Sequence, residues 1–150
     1  MTVGQFCNRE VVVTSKNSTI LEVARLMRQH HVGDVVVVAD GQSAQPVPLG
    51  IITDRDIVVE LIAAEVDLDT VTVGDVMSFE ITTVKEQDGI WETVQRMRAK
   101  GIRRVPVVND KGGLEGILTA DDLLELFSEE LMQLARVADS EISREKTLRS

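Results

Sequence analysis

The sequence predicts a mixed α/β (α+β) fold made of one β-α-β-β-α unit used twice, packed as a pseudo-two-fold pair, with a helical extension at the C-terminus. Three observations carry this. Displaced by 70 residues, the run TVGQFCNREVVVTSKNSTILEVARLMRQHHVGDVVVVAD lies on TVGDVMSFEITTVKEQDGIWETVQRMRAKGIRRVPVVND, and Thr2, Val3, Gly4, Ile20, Glu22, Met27, Arg28 and Asp40 meet identical residues. Displaced by 66, Gly50, Ile51, Thr53 and Asp56 of GIITDRD lie on Gly116, Ile117, Thr119 and Asp122 of GILTADD. Within each copy, strand-like apolar runs alternate with helical stripes, as a repeated supersecondary unit requires.

Each copy opens on a short apolar strand, residues 11–13 and then 81–84. A helix follows, over about 19–30 and 89–100. Ile20, Val23, Ala24 and Met27 form its stripe in the first copy; Ile90, Val94 and Met97 do so in the second. Thr19 with Glu22 reads as a capping box. Two β-rich runs come next, 35–38 with 49–52 and 105–108 with 114–118, and the Asp-Gly and Gly-Gly signals between them predict hairpins. The first connection is four residues longer, and the extra material lies in DGQSAQPVPLG, which is rich in turn formers. Each hairpin ends at the Thr-x-x-Asp, where a threonine with an acid three residues on starts a second helix. Residues 63–72 join the copies. After Leu123 the helix continues, with Leu124, Phe127, Leu131 and Leu134 at spacings of three and four, a short a/d seam. Past Asp139 the chain is polar and expected to fray. The divisions are 1–66, 67–127 and 128–150.

Composition narrows the function classes. Of 150 residues, 43% are apolar and 27% charged, ordinary for a soluble globular protein. No apolar run reaches membrane-spanning length, and MTVGQFCNRE does not read as a secretory leader, so a cytoplasmic location is expected. The single cysteine, Cys7, makes neither an internal disulfide nor a metal site. A net charge of −9 disfavours broad phosphate-backbone binding to nucleic acid. Seven of the sixteen basic residues, however, lie between Lys85 and Lys111, so local charge outweighs the total there.

No serine elbow, P-loop glycine pattern or Cys/His metal set is present, and the aspartates of the two Thr-x-x-Asp motifs have no general-base partner in sequence. The reading is therefore not an enzyme, with no cofactor required. Adjacent His30 and His31 face different sides of a helix and do not chelate as an i, i+4 pair would. Trp91, beside Ile90, reads as packing or a dimer contact, and Met27 with Met97 as core. What remains are two strand-to-helix corners, places where unpaired amides at a positive helix end commonly meet a ligand.

The doubled pattern, carried by GIITDRDI, GILTADDL, IRRVPVV and VGDVVVV, resembles a tandem pair of cystathionine β-synthase (CBS) domains, a Bateman module, over roughly residues 2–127. The resemblance implies a stand-alone regulatory module that binds adenosine-containing ligands in the cleft between repeats. The aspartate would take the ribose hydroxyls, the threonine and helix amides would face phosphate, and each site would be completed by the other copy. Carried onto this chain, one site holds Ile51, Thr53 and Asp56, with Ile81 and Thr82 beside the base and Arg103 and Arg104 beside the phosphates. Pro106 marks an edge position or an irregular start in the strand that follows, which suits a backbone exposed to ligand. The other site holds Ile117, Thr119 and Asp122, with Val11 and Val12 beside the base, and Gly33 and Asp34 where the first has its arginines. A guanidinium–phosphate bond contributes about 1.5–3 kcal/mol, and a carboxylate nearby opposes phosphate by roughly 1–4 kcal/mol. The expectation is one good adenine-nucleotide site (AMP, ADP or ATP) and one weak, empty or different site, open to an uncharged adenosyl group or a nucleotide with a bridging Mg²⁺. The family also implies a homodimer and a regulated protein that the sequence does not name. The alternative is a structural dimerisation module whose clefts bind nothing.

Overall fold

A computed structural model describes residues 1–41 and 44–149. It divides into Met1–Leu118 and Thr119–Ser150. Gln42 and Ser43, part of the longer first connection, lie outside the described residues.

Met1–Leu118 holds α1 (Val3–Phe6), β1 (Val13–Ser15), α2 (Ile20–His30), β2 (Asp34–Val38), β3 (Pro48–Thr53) and α3 (Asp54–Asp56). A π-helical segment, Ile57–Ile62, continues α3, and a 3₁₀ turn, Leu68–Thr70, precedes α4 (Val73–Val76). Then come β4 (Val84–Lys85), α5 (Ile90–Lys100), β5 (Arg104–Val108) and β6 (Leu114–Thr119), whose last residue opens the second unit. Two three-stranded sheets result, β1-β2-β3 and β4-β5-β6. In each, the first strand runs parallel to the middle one, and β2 pairs antiparallel with β3 as the predicted hairpin. The mixed α+β architecture follows the sequence expectation.

The helices start where the caps predict. Thr19 Oγ1 accepts from the Glu22 amide at 3.1 Å, and Glu22 accepts from the Thr19 amide at 3.2 Å. The two 11-residue helices both stop in a left-handed residue, His31 (φ 55°) after α2 and Gly101 (φ 65°) after α5. Ile20, Val23 and Met27 are buried with Val35, Val37 and Ile52 beneath them.

The opening strands differ from expectation. Residues 11–12 and 81–83 are not in strands; β1 starts at Val13 and β4 at Val84. Partner chemistry explains part of this. Val36 donates its amide to the Val12 carbonyl at 3.0 Å. Its counterpart, Pro106, has no N–H to give to Thr82, and pairing begins only at Val84 with Val107. Pro106 therefore sits in the middle strand of its sheet rather than at an edge, and the irregular-start alternative describes it.

The copies also exchange their entry segments. Val3 and Gly4 donate amides to the Asp88 and Glu86 carbonyls, each at 2.9 Å; Val73 and Gly74 donate to Ser18 and Lys16 at 2.9 and 2.8 Å. The bridges Thr2–Gly89 and Thr19–Thr72 are counterparts, as are Asn8–Ile117 and Ile51–Ser78. Each of these contacts thus occurs twice under the 70- or 66-residue displacement, which is a pseudo-two-fold axis written in hydrogen bonds. Val73 and Met77 are consequently buried in the first copy's core, among Ile20, Ile52 and Leu61.

Thr119–Ser150 holds one helix, α6 (Ala120–Arg149), of 30 residues. Leu123 and Leu126 are buried, and every residue from Ser128 to Arg149 is exposed. The stretch past Asp139, expected to fray, is helical through Arg149.

Candidate functional site

The GIITDRD corner is where β3 hands over to α3. Gly50 occupies the approach because nothing larger fits: a Cβ there would lie 2.5 Å from the Ser78 carbonyl oxygen and 2.8 Å from Met77 Sδ. Ile51 exchanges backbone bonds with Ser78, at 3.3 and 2.9 Å. The second copy is thereby stitched to the corner of the first, and residues 78–82 are laid along it.

Thr53 and Asp56 close a reciprocal capping box: Thr53 Oγ1 accepts from the Asp56 amide at 3.1 Å, and Asp56 Oδ2 accepts from the Thr53 amide at 2.9 Å. The other first-turn amides are occupied as well. Asp54 donates to the Gly33 carbonyl at 3.0 Å, and Arg55 donates to Asp54 Oδ1 at 2.8 Å. This corrects the expectation of unpaired amides awaiting a phosphate. What this corner offers a ligand are side chains.

Those side chains converge on a cleft of about 320 Å³ lined by Ile51, Thr53, Asp56, Ser78, Glu80, Ile81, Thr82, Gly101, Ile102, Arg103 and Arg104. Seven of the eight residues assigned from sequence to the first site line it; Pro106 does not. Sequence reasoning missed Ser78, Glu80, Gly101 and Ile102; Glu80 and Ile102 adjoin the assigned Ile81 and Arg103, and Ser78 is the bridge partner of Ile51. The cleft has an apolar wall (Ile51, Ile81, Ile102), a carboxylate (Asp56) and two guanidinium groups. It suits a ligand with a flat apolar part, vicinal hydroxyls and an anionic end. Because Pro106 offers no N–H, the Thr82 carbonyl on the apolar wall takes no bond from that position, unlike Val12 in the first copy.

Arg104 is not a lone cation. Its Nε is buried without a hydrogen-bond partner, yet lies 3.4 Å from Asp34 Oδ1, with side-chain exposures of 26% and 18%. Asp34 and Arg104 are repeat counterparts, the first residues of β2 and β5, so the pair straddles the pseudo-axis. The sequence assigned them to different sites; the structure sets them side by side. Arg103 and Glu80 are exposed.

The residues assigned to the second site are distributed differently. Val11 and Val12 line a separate cleft of about 490 Å³ with Asn8, Glu10, Val13, Leu26, His30 and Val32. Ile117 is buried and exchanges backbone bonds with Asn8, both at 2.9 Å. The Gly33 carbonyl is taken by Asp54, and Asp34 stands beside Arg104. In the second unit Thr119 Oγ1 accepts from the Asp122 amide at 3.1 Å. Among the described residues, no group of three or more His, Cys, Asp or Glu side chains is placed to hold a metal ion. None of the helices described is long and apolar enough to cross a membrane.

Residues 3–63 and 73–129 each match the CBS domain family. The chain belongs to the CBS domain family. Its two matches are the two copies read from the sequence, so it is a CBS pair. An uncharacterised protein of Methanopyrus kandleri is 39% identical over 126 residues, 84% of this chain; the chain spans 62% of that relative's length. The CBS domain-containing protein YhcV of Bacillus subtilis is 39% identical over 114 residues, 76% of each chain. Among solved structures, the CBS domain pair of protein MJ0100, in complex with 5'-methylthioadenosine and S-adenosyl-L-methionine, superposes with a TM-score of 0.75 at 24% identity. That match covers 87% of this chain and 98% of the other.

Proposed function

We propose that this CBS pair is a cytoplasmic regulatory module that senses an adenosine-containing ligand of the AMP, ADP or ATP type in the Thr53/Asp56/Arg104 cleft, and that it is not an enzyme. The observation that carries this reading is the convergence of Thr53, Asp56, Ile81, Thr82, Arg103 and Arg104 on one cleft across the two copies. Asp56 Oδ1, the oxygen not engaged with the Thr53 amide, takes the ribose hydroxyls. Ile51, Ile81 and Ile102 sandwich the base, with the Thr82 carbonyl as an acceptor for its amino group. Arg103 and Arg104 take the phosphate. The 5'-methylthioadenosine and S-adenosyl-L-methionine bound by the MJ0100 pair support an adenosine-containing ligand, by likeness of fold.

The Asp34–Arg104 pair tunes the preference. A carboxylate 3.4 Å from the guanidinium offsets part of its charge, so each added phosphate gains less than two free arginines would give. Because the cleft is walled by both copies, a ligand that fits one tilt of the pair better than another shifts that equilibrium by its differential affinity. A regulated partner protein would read that tilt.

Titration calorimetry with AMP, ADP, ATP and adenosine tests the assignment. Arg104→Ala should weaken AMP binding by roughly 10- to 150-fold, the range a charge-assisted bond of about 1.5–3 kcal/mol implies, while leaving adenosine nearly unchanged. If none of these ligands binds or raises Tm at saturating excess, the chain is a structural pairing module and the sensor reading fails.

A further inference from the structure

One set of contacts between the copies is one-sided. Pro46, in the longer first connection, accepts from the Leu114 amide of the second copy at 2.9 Å. Gln45 Nε2 donates to Glu115 Oε1 at 2.6 Å, and Gln45 Oε1 accepts from Asn109 Nδ2 at 3.0 Å. Glu115 also accepts from Asn109 Nδ2 at 3.2 Å and has Arg9 of the first copy 3.9 Å away. Gly113 leaves room for the crossing, since a Cβ there would lie 2.9 Å from the Gln45 carbonyl oxygen.

The sequence forbids the reciprocal crossing. Under the 66-residue displacement Leu114 and Glu115 answer to Pro48 and Leu49, and under the 70-residue displacement Asn109 answers to Ala39. Pro48 has no N–H to donate, Leu49 has no acceptor, and Ala39 has no side-chain amide. The four extra residues of the first connection therefore come with partners that only the second copy supplies.

The crossing lies at the far ends of the strands that bear the cleft. Thr53 closes β3 and Arg104 opens β5, whereas Pro46 precedes β3 and Asn109 follows β5. The six residues of β3 put about 17 Å of strand between the two ends, at roughly 3.4 Å per residue. Between them Val36 and Ile51 of the first copy pack on Leu114 and Ile117 of the second, with Ile81 against the cluster. A tie at one end of a shared apolar core limits how far the two copies can rock at the other.

We infer that Gln45 and Pro46 form a one-sided strap that fixes the tilt at which the two copies meet across the Thr53/Asp56 cleft. The strap keeps Ile81, Thr82 and Arg104 opposite Thr53 and Asp56 before any ligand arrives. It does so from a distance, because neither Gln45 nor Pro46 lines the cleft.

Amide hydrogen exchange on the full chain without nucleotide tests this, with Gln45→Ala as the variant. Ile51 and Ser78 bond each other across the copies at the cleft end, whereas the Val36 amide bonds Val12 within the first copy. In the variant the Ile51 and Ser78 amides should exchange up to about tenfold faster, the factor implied by losing one hydrogen bond to a charged group, and Val36 should change less. Equal acceleration of all three would mean a general loss of stability, and acceleration confined to Leu114 a local contact; either overturns the proposal. Calorimetry adds a second readout, which rests on the nucleotide reading as the exchange readout does not. Diluting the binding-competent tilt weakens every ligand by one factor, so Gln45→Ala should weaken adenosine and AMP alike. Weakening of AMP alone, or of neither, would contradict control by tilt.

Discussion

Replacing Asp34 by Asn removes a charge from beside Arg104 while keeping the side chain's size. In the parent the carboxylate oxygen lies 3.4 Å from Arg104 Nε. A phosphate bonded to the outer face of that guanidinium would stand about 6 Å from Asp34. Coulomb's law gives a repulsion of roughly 0.7 kcal/mol per unit charge in water and about 3 kcal/mol at an effective dielectric of 20. The cleft opens to solvent, so the lower part of that range applies: about 1 kcal/mol per phosphate charge, or fivefold in Kd. Asp34→Asn should therefore tighten AMP, whose phosphate carries about −1.5 to −2 charges at pH 7, by roughly 10- to 30-fold and ATP by more, with adenosine unmoved. The gain should shrink as salt rises from about 0.1 M, where screening acts over about 10 Å, toward 1 M, where it acts over about 3 Å. The variant should also lose about 1–3 kcal/mol of stability, because Arg104 Nε keeps its burial and loses its counter-charge. The assay is calorimetry on the three ligands with a melting curve as control. Equal tightening for adenosine and AMP, or no tightening for AMP, would refute the electrostatic argument.

Five further outcomes follow from named residues. Gly50→Ala forces a Cβ to 2.5 Å from the Ser78 carbonyl, an overpacking cost of about 1–3 kcal/mol that a thermal melt should read as a lower Tm. Gly116→Ala, against Asn8 O at 2.8 Å and Cys7 Sγ at 2.9 Å, should do the same. His31→Gly relieves a left-handed residue at φ 55° and should raise stability by about 0.5–1 kcal/mol in chemical denaturation, whereas Gly101→Ala, at φ 65°, should lower it. Burial pushes the Cys7 thiol above its ordinary value, with Arg9 opposing. The protonated thiol is the form the fold favours, so its stabilising share is intact below the unfolded value and lost as pH rises through the raised one. Reaction with a thiol reagent should be slow at pH 7 and accelerate only above the usual cysteine range; fast labelling at pH 7 would contradict this.

Much of the fold was legible because its signals are local. The capping boxes at Thr19 and Thr53, the hairpin turns and the helical stripes each depend on residues within a few positions of one another. The starts of β1 and β4 were not, because the ladder is set by a distant donor: Val36 has an amide to give and Pro106 does not. The exchange of entry segments was also missed. Its signal was the identical Thr-Val-Gly at 2–4 and 72–74, where a Cβ on Gly4 would lie 2.9 Å from Glu86 Cβ and one on Gly74 2.9 Å from the Lys16 carbonyl oxygen. Glycines kept at matching places in two copies signal close backbone approach, which only a docked partner segment supplies. The same logic explains the glycine that opens each strand-to-helix corner. The occupied first-turn amides were invisible for a related reason, since one acceptor, the Gly33 carbonyl, comes from a strand start twenty-one residues earlier.

A pseudo-two-fold pair brings equivalent residues together at its axis, and this places a physical demand on the starts of β2 and β5. Identical charged residues at positions 34 and 104 would put like charges a few Å apart, at a cost of roughly 1–4 kcal/mol. An aspartate facing an arginine turns that repulsion into attraction. The substitution that resolves the conflict also breaks the symmetry, because only one copy then presents a guanidinium to its cleft. Unequal clefts are therefore a consequence of how the two halves meet as well as of what they bind. Reversing the pair, with Asp34→Arg and Arg104→Asp together, should preserve the fold while leaving Arg103 as the one guanidinium assigned to the phosphate in the Thr53/Asp56 cleft, so that AMP binding there weakens toward that of adenosine. A double variant that keeps the parent's preference for AMP over adenosine would show that the phosphate is held elsewhere.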